Sequence, residues 1–339
     1  MHRGRPFSGA SSAARGTCEA IAAVCDPRAA DLTRAGDNDE VTATGLPLDA
    51  LRPRLPSPLV AIEDARLARH GVRLLLKRDD LIHPDLPGNK WRKLRLNLQA
   101  AADAGHDTLL TFGGAYSNHL RATAAAGRLL GFTTIGVVRG DELARRPLND
   151  SLARAAADGM RLAFVDRTTY RRKAEPDVAE ELRERFGRCY VVPEGGSNAL
   201  AAQGCAELGR ELRGEADVVA VACGTGGTLA GLAAGLAPGG QRAIGFPVLK
   251  GGFLGAAVQR LQEDAFGGRT GDWTLDERFH HGGYARTTPG LDAFAADFAV
   301  RHGLVPDRVY VAKMLHGLFT LADEGAFSPG TRLAAVVTG

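Results

Sequence analysis

The chain has 339 residues, 42 of them basic and 39 acidic, for a formal charge of +3. So small a surplus does not fit a general nucleic-acid binder, and no apolar run approaches the ~18 residues of a membrane span. Only six of the basic side chains are lysines (Lys77, Lys90, Lys93, Lys173, Lys250 and Lys313). Arginine stays protonated, so any amine nucleophile must be one of these six.

An apolar content of 45% and a charged content of 24% are ordinary for a globular protein. At roughly 150 residues per domain, the length suggests about two domains. Cys18, Cys25, Cys189, Cys205 and Cys223 are odd in number and form no CxxC pair. A reducing compartment is expected, without a disulfide scaffold, a zinc site or any other metal. Residues 1–18 carry Arg3, Arg5 and Arg15 and no acid. That pattern is read either as an organelle transit peptide or as a disordered extension over residues 1–45.

From Pro56 onward strands alternate with helices. Strands are predicted at Pro58–Ile62 and Val72–Lys77, then a helix at Asn89–Ala104. Asp107–Phe112 is a strand and Asn118–Leu130 a helix. Thr133–Val138 is a strand, Asn149–Asp158 a helix, and Arg161–Val165 a strand. A helix follows at Pro176–Phe186, a strand at Cys189–Val192 and a helix at Asn198–Leu212. Ala216–Ala222 is a strand and Leu229–Leu236 a helix. Ala243–Phe246 and Leu333–Thr338 are later strands, with helices at Pro289–Arg301 and Ala312–Asp323. The alternation implies α/β architecture with parallel sheets and right-handed crossovers. Val218–Ala222 is apolar on both faces, as a sheet covered on both sides requires. Ligands of such sheets bind at the carboxyl ends of strands. Three loops there stand out: Phe112 to Asn118, Val192 to Asn198, and Ala222 to Thr228.

The last of these reads Cys223-Gly224-Thr225-Gly226-Gly227-Thr228. Glycines let a backbone approach an anion closely, and the helix start and threonine hydroxyls can bind it. No lysine follows, so it is not a Walker A loop, and Leu229 stands where GxGxxG would need glycine. A plain strand–helix turn is the alternative. In Gly113-Gly114-Ala115-Tyr116-Ser117-Asn118-His119, Ser117 or Asn118 is either a helix cap or part of a carboxylate site. His119 reads as a structural histidine. In Gly88-Asn89-Lys90-Trp91-Arg92-Lys93, Lys90 falls in the first turn of a helix, where the macrodipole opposes a cation and lowers its pKa. Lys93 follows one turn later on the same face. Two solvated helix lysines are the alternative. Pro193-Glu194-Gly195-Gly196-Ser197-Asn198 reads as a turn and cap.

Taken in order, KRDD (77–80), GNKWRKL (88–94), GGAYSNHLRATAAA (113–126), PEGGSNAL (193–200), CGTGGTLAGL (223–232) and VYVAKMLHGL (309–318) resemble the D-cysteine desulfhydrase and 1-aminocyclopropane-1-carboxylate (ACC) deaminase family. These are pyridoxal-phosphate enzymes of fold type II, like the β subunit of tryptophan synthase. The resemblance covers about residues 55–339.

The resemblance implies a large cofactor-binding domain of residues 46–92 plus 195–339, and a small α/β domain of residues 93–194. It implies that Lys90 holds pyridoxal 5'-phosphate covalently and then carries a proton. Lys93 with Thr225, Gly226, Gly227 and Thr228 would hold the phosphate. Asn118 would bond the ring hydroxyl, and Ser117 would sit by the substrate carboxylate. Tyr284 and Tyr310 correspond to two active-site tyrosines. ACC deaminases resemble one another in a glutamate after the second tyrosine, where this chain has Val311. Thr338 matches the threonine that desulfhydrase-like members offer to the pyridine nitrogen. The implied activity is α,β-elimination from a small amino acid, most like D-cysteine, to pyruvate, ammonia and sulfide. ACC deamination, elimination from another β-substituted amino acid, and cofactor binding without turnover are the alternatives. A cytoplasmic homodimer acting on a small amino acid is expected, with no nucleic-acid or membrane partner.

Overall fold

The computed structural model describes residues 46–338. The expected N-terminal extension or transit segment, residues 1–45, lies outside the described residues.

The strands are β1 (Leu59–Ile62), β2 (Arg73–Arg78), β3 (Thr108–Gly113), β4 (Thr133–Arg139), β5 (Arg161–Val165), β6 (Tyr190–Val192), β7 (Val218–Cys223), β8 (Arg242–Pro247), β9 (Asp272–Leu275) and β10 (Arg332–Val337). The helices are α1 (Ala65–Ala68), α2 (Asn89–Asp103), α3 (Asn118–Leu130), α4 (Asp150–Ala157), α5 (Arg167–Arg171), α6 (Pro176–Phe186), α7 (Ala199–Glu211), α8 (Gly227–Leu236), α9 (Leu254–Phe266), α10 (Pro289–His302) and α11 (Val311–Asp323). Every element expected from the sequence is present, and no end moves by more than two residues.

Four elements were not expected: α1, α5, α9 and β9. The helix α9 starts after Gly251-Gly252 without a side-chain cap, so no start signal precedes it. The edge strand β9 turns only Trp273 fully inward, which is too short an alternation to read.

One sheet has the order β1-β2-β10-β7-β8-β9 and the other β5-β4-β3-β6. All ladders are parallel except β1 with β2, which is antiparallel. The parallel-rich sheets expected from the sequence are present, and the exception is set by its connection. The link 63–72 is shorter than the dozen or more residues a parallel crossover takes. Alternate residues of β7 and β10 feed separate cores. Val218, Ala220, Leu333 and Ala335 pack on one face, and Val219, Val221, Ala334 and Val336 on the other. Both faces are therefore dry, as the unbroken apolar runs predict.

Helix α8 is pinned by close approach. A Cβ on Gly231 would lie 2.1 Å from the Ala202 carbonyl of α7, and one on Gly235 would lie 2.1 Å from that of Ala206. In turn, a Cβ on Gly204 of α7 would meet the Arg92 carbonyl of α2 at 2.1 Å. These glycine contacts lock the two helices whose first turns face the cavity described next.

Candidate active site

The loops after β3, β6 and β7 converge on one cavity of about 460 Å³. Side chains from both sheets line it, including Lys90, Lys93, Ser117, Asn118, Tyr284 and Tyr310. Lys90, Lys93, Ser117 and Asn118 meet there because the connections after β2 and β3 open at carboxyl ends of parallel strands, whereas Tyr284 enters from the segment before α10 and Tyr310 from the link between α10 and α11.

Lys90 enters through a glycine that no other residue could replace. Gly88 has φ +64°, and a Cβ there would lie 1.6 Å from the Thr338 carbonyl oxygen. Lys90 Nζ donates to Asn89 Oδ1 at 2.6 Å, and Asn89 Nδ2 donates to Thr228 Oγ1 at 3.0 Å. Burial, followed by the charge of Lys93, pushes the Lys90 amine down to about 7. The sequence reading assigned this shift to the helix terminus; desolvation is the larger cause. Two residues on, Arg92 is wholly buried. Its Nε and Nη2 donate to Asp79 at 2.8 and 2.9 Å, and its Nη1 donates to Glu211 at 2.9 Å. Lys77 adds bonds to the Ser57 carbonyl at 2.7 Å and to Glu211 at 2.6 Å. Lys77 is structural, and this ionic core sets the direction in which α2 presents Lys90.

Lys93 is buried, and its partners among the described residues are neutral. Its Nζ donates to the Gly195 carbonyl at 3.0 Å, Ser197 Oγ at 2.9 Å and Thr225 Oγ1 at 3.4 Å. Helix α8 begins beside it at Gly227, after Gly226 at φ +86°, with no side-chain cap. A Cβ on Gly227 would meet Ser197 Oγ at 2.8 Å. Free first-turn N–H groups, a positive helix end and an ammonium without a paired carboxylate among the described residues are the chemistry that can hold an anion. Ser197 and Asn89 were missed as functional residues. Both stand inside quoted motifs, but their bonds run to residues far along the chain.

Ser117 is the N-cap of α3, its Oγ accepting from Leu120 N at 3.2 Å. The cap reading is correct, and the hydroxyl also lines the cavity. His119 is buried, with Nε2 2.8 Å from Thr111 Oγ1. The Thr111 hydroxyl donates its single proton to the Val192 carbonyl at 2.8 Å. His119 Nε2 must therefore donate to Thr111, which leaves Nδ1 as a lone pair. Nδ1 is buried and has no partner. Burial and the charges of Lys90 and Lys93 hold the ring well below its ordinary range, so it is neutral. His119 is structural at one nitrogen only.

Tyr284 and Tyr310 meet edge to face with centroids 6.1 Å apart. Asp307 Oδ1 accepts from Tyr310 N at 2.7 Å and fixes that backbone. Burial, with Tyr284 next, raises the Tyr310 phenol, so it stays protonated and can donate. Val311 does not face the cavity: it is 1% exposed and packs in the apolar core. Gly227 and Thr338 are not among the lining residues either. Thr338 is buried with its backbone against Gly88. Among the described residues no cluster of His, Cys, Asp or Glu could hold a metal, and no helix is long and apolar enough to cross a membrane.

These residues fit pyridoxal phosphate on their own chemistry. Lys90 is an amine with a pKa of about 7, and among the described residues no carboxylate pairs with Lys93 beside the start of α8. The family described as "Pyridoxal-phosphate dependent enzyme" matches residues 51–339. The mitochondrial bifunctional D-cysteine desulfhydrase/1-aminocyclopropane-1-carboxylate deaminase of Arabidopsis thaliana is 30% identical, over 80% of this chain and 73% of that protein. The D-cysteine desulfhydrase of Klebsiella pneumoniae is 30% identical, over 84% of this chain and 91% of that one. A solved structure described as an ACC deaminase homologue superposes with a TM-score of 0.72 at 28% identity, over 87% of this chain and 94% of that one. With most of its length matched by the family, and with an amine and an anion cradle in one cavity, this chain belongs to the pyridoxal-phosphate-dependent enzymes.

Proposed function

We propose that the protein is a lyase that eliminates the β-substituent of a small amino acid, D-cysteine being the preferred substrate, to give pyruvate, ammonia and sulfide. The observation that carries this reading is Lys90, an amine shifted to about 7, in the same cavity as the Lys93–Thr225 anion cradle.

Lys90 is the residue that would hold the cofactor aldehyde, and Lys93, Ser197, Thr225 and the first turn of α8 its phosphate. When bound, pyridoxal phosphate supplies an electron sink for charge that develops at the substrate α-carbon. Asn89 accepts from the Lys90 amine and restrains its direction. An amine with a pKa near 7 exists at neutral pH in both forms, so it can take and return a proton. The Ser117 hydroxyl and the α3 terminus would receive the substrate carboxylate, with Asn118 beside them for the cofactor ring hydroxyl. Tyr310, kept protonated, would donate a hydrogen bond to the departing group. We assign Thr338 to the pyridine nitrogen, supported by its place at the end of β10 under Gly88.

ACC deamination is the second reading, carried by the Arabidopsis relative whose name holds both activities. Val311, buried in the apolar core, offers no acid at the position where ACC deaminases resemble one another, so we prefer elimination. The deciding experiment is keto-acid release by the holoenzyme from D-cysteine, L-cysteine, ACC and other β-substituted amino acids. Pyruvate and sulfide from D-cysteine, lost in Lys90→Ala, support the proposal. Release of 2-oxobutanoate from ACC alone supports the second reading, and bound cofactor without turnover overturns both.

We further propose that residues 46–92 plus 195–339 form the large domain and residues 93–194 the small one. The grouping of β1, β2 and β7–β10 in one sheet and β3–β6 in the other supports this. A cytoplasmic homodimer is the proposed working form, with residues 1–45 as an organelle transit peptide in the alternative. Light scattering and localisation of a tagged full chain test these points.

A further inference from the structure

We propose that Lys313 is a positioning residue that ties down the turn carrying Tyr284 and so sets the geometry of the tyrosine pair. The inference rests on the reading of Tyr284 and Tyr310 as active-site groups.

Lys313 lies in the first turn of α11 and is 0% exposed. A buried ammonium at a helix N-terminus is opposed by desolvation and by the macrodipole. Its helix neighbours Ala312, Met314 and Leu315 are buried and apolar, and a methionine at 313 would pack among them without either penalty. Among the described residues no carboxylate lies within ion-pair distance; Asp307 acts on it only through longer-range attraction. What the ammonium has instead is two backbone partners. Nζ donates to the His280 carbonyl at 2.9 Å and to the Gly283 carbonyl at 2.8 Å.

That turn needs an outside tie. His281, Gly282, Gly283 and Ala285 all have positive φ, at 51°, 92°, 119° and 54°. Side-chain-bearing residues hold such a conformation only when their surroundings impose it. Within the turn, Gly283 N donates to the His280 carbonyl and Gly282 N to His280 Nδ1. Outside the turn, His281 Nδ1 lies 3.0 Å from Thr288 Oγ1 and its ring meets His316 edge to face, whereas Lys313 holds the turn's backbone itself, at the carbonyls on both sides of the positive-φ stretch 281–282. The same helix end fixes the partner ring, since Asp307 accepts from the backbone of Tyr310 and Val311 at 2.7 and 3.0 Å. One end of α11 therefore holds both tyrosines, Tyr310 through the chain and Tyr284 through Lys313.

The test compares wild-type holoenzyme with Lys313→Met, Lys313→Gln, Tyr284→Phe and the Lys313→Met/Tyr284→Phe double variant. In Lys313→Met, backbone amide exchange over residues 281–286 should speed up by about ten-fold or more, while the sheet strands keep their protection. Cofactor absorbance should persist, kcat/KM should fall by about ten-fold, and the double variant should be no slower than Tyr284→Phe alone. Lys313→Gln, which keeps a donor, should recover part of both losses. Unchanged exchange at the turn overturns the proposal. So does a double variant slower than Tyr284→Phe by the full Lys313→Met factor. If Lys313→Met does not fold, Lys313→Gln decides alone: exchange over residues 281–286 faster than in wild type supports the proposal, and unchanged exchange overturns it. If the wild type releases no keto acid, the functional reading fails, and the exchange measurement still decides whether Lys313 holds the turn.

Discussion

Lys93 Nζ stands 2.9 Å from Ser197 Oγ, with no carboxylate paired to it, at the open start of α8. The two residues come from different strand–helix units, and together with Thr225 they close the anion cradle from both sides. Replacing Lys93 by Met removes the one ammonium of that cradle. Loss of a charge-assisted bond should weaken cofactor binding by about ten- to a hundred-fold. Ser197→Ala, which removes a neutral partner, should weaken it by about ten-fold at most. Fluorescence titration of cofactor-free protein with pyridoxal phosphate measures both, and equal effects would contradict the charge argument.

Lys90→Ala should abolish the visible absorbance of purified holoenzyme, because Lys93, the other lysine of the cavity wall, is held in the anion cradle by Gly195, Ser197 and Thr225. In cofactor-free protein the lowered amine has a further consequence. Its folded value of about 7 lies below the ordinary 10.5, so between these pH values the unfolded chain holds the extra proton. Stability must then rise with pH across that window, and below it the full penalty of the buried ammonium remains. Lys90→Met removes the penalty. Its stability advantage over wild type should be largest at neutral pH and shrink toward pH 10.5. Thermal melts at a series of pH values follow the difference.

His119 should keep one tautomer throughout the working range. Nitrogen NMR of labelled protein should show a proton on Nε2, none on Nδ1, and no titration near the ordinary value of 6.5. The sign for stability follows. The unfolded histidine gains a proton near 6.5 while the folded one does not, so stability falls as pH drops below that value. His119→Gln should remove this component of the acid sensitivity. A ring that titrates normally would refute the Thr111–Val192 relay.

Arg92→Ala should destabilise by about 3–5 kcal/mol, because it strands the buried Asp79 carboxylate without its partner. The midpoint of denaturant unfolding reads this directly. Glu211→Gln should do less, since Glu211 is partly exposed and Asp79 still pairs with Arg92.

The order of strands and helices was legible because burial has a period. β7 and β10 are apolar without interruption, and α2 and α3 start at recognisable glycine or serine signals. The glycine run after β7 pointed to an anion-site reading, beside that of a plain turn, for the same local reason: backbone geometry there depends on residues a few positions apart. What could not be read locally is less regular. The antiparallel edge strand β1 depends on the length of its link to β2. Helix α9 lacks a capping signal, and Ser197 looks like any turn serine until Lys93 is placed beside it.

The sequence by itself determined an α/β architecture with apolar parallel strands, and its ordered motifs carried the resemblance that picks Lys90 from six lysines. Six lysines, ordered motifs and uninterrupted apolar strands are enough for that, since each is a property of neighbouring residues. Only the tertiary structure decided what surrounds Lys90. β10 runs between β2 and β7, which seats Thr338 under Gly88. The glycine-faced packing of α7 on α8 lets Asn89 reach Thr228 and Lys93 reach Thr225. Desolvation then lowers the Lys90 amine more than the helix terminus was expected to. Burial is a property of the whole packed molecule, and no spacing along the chain contains it.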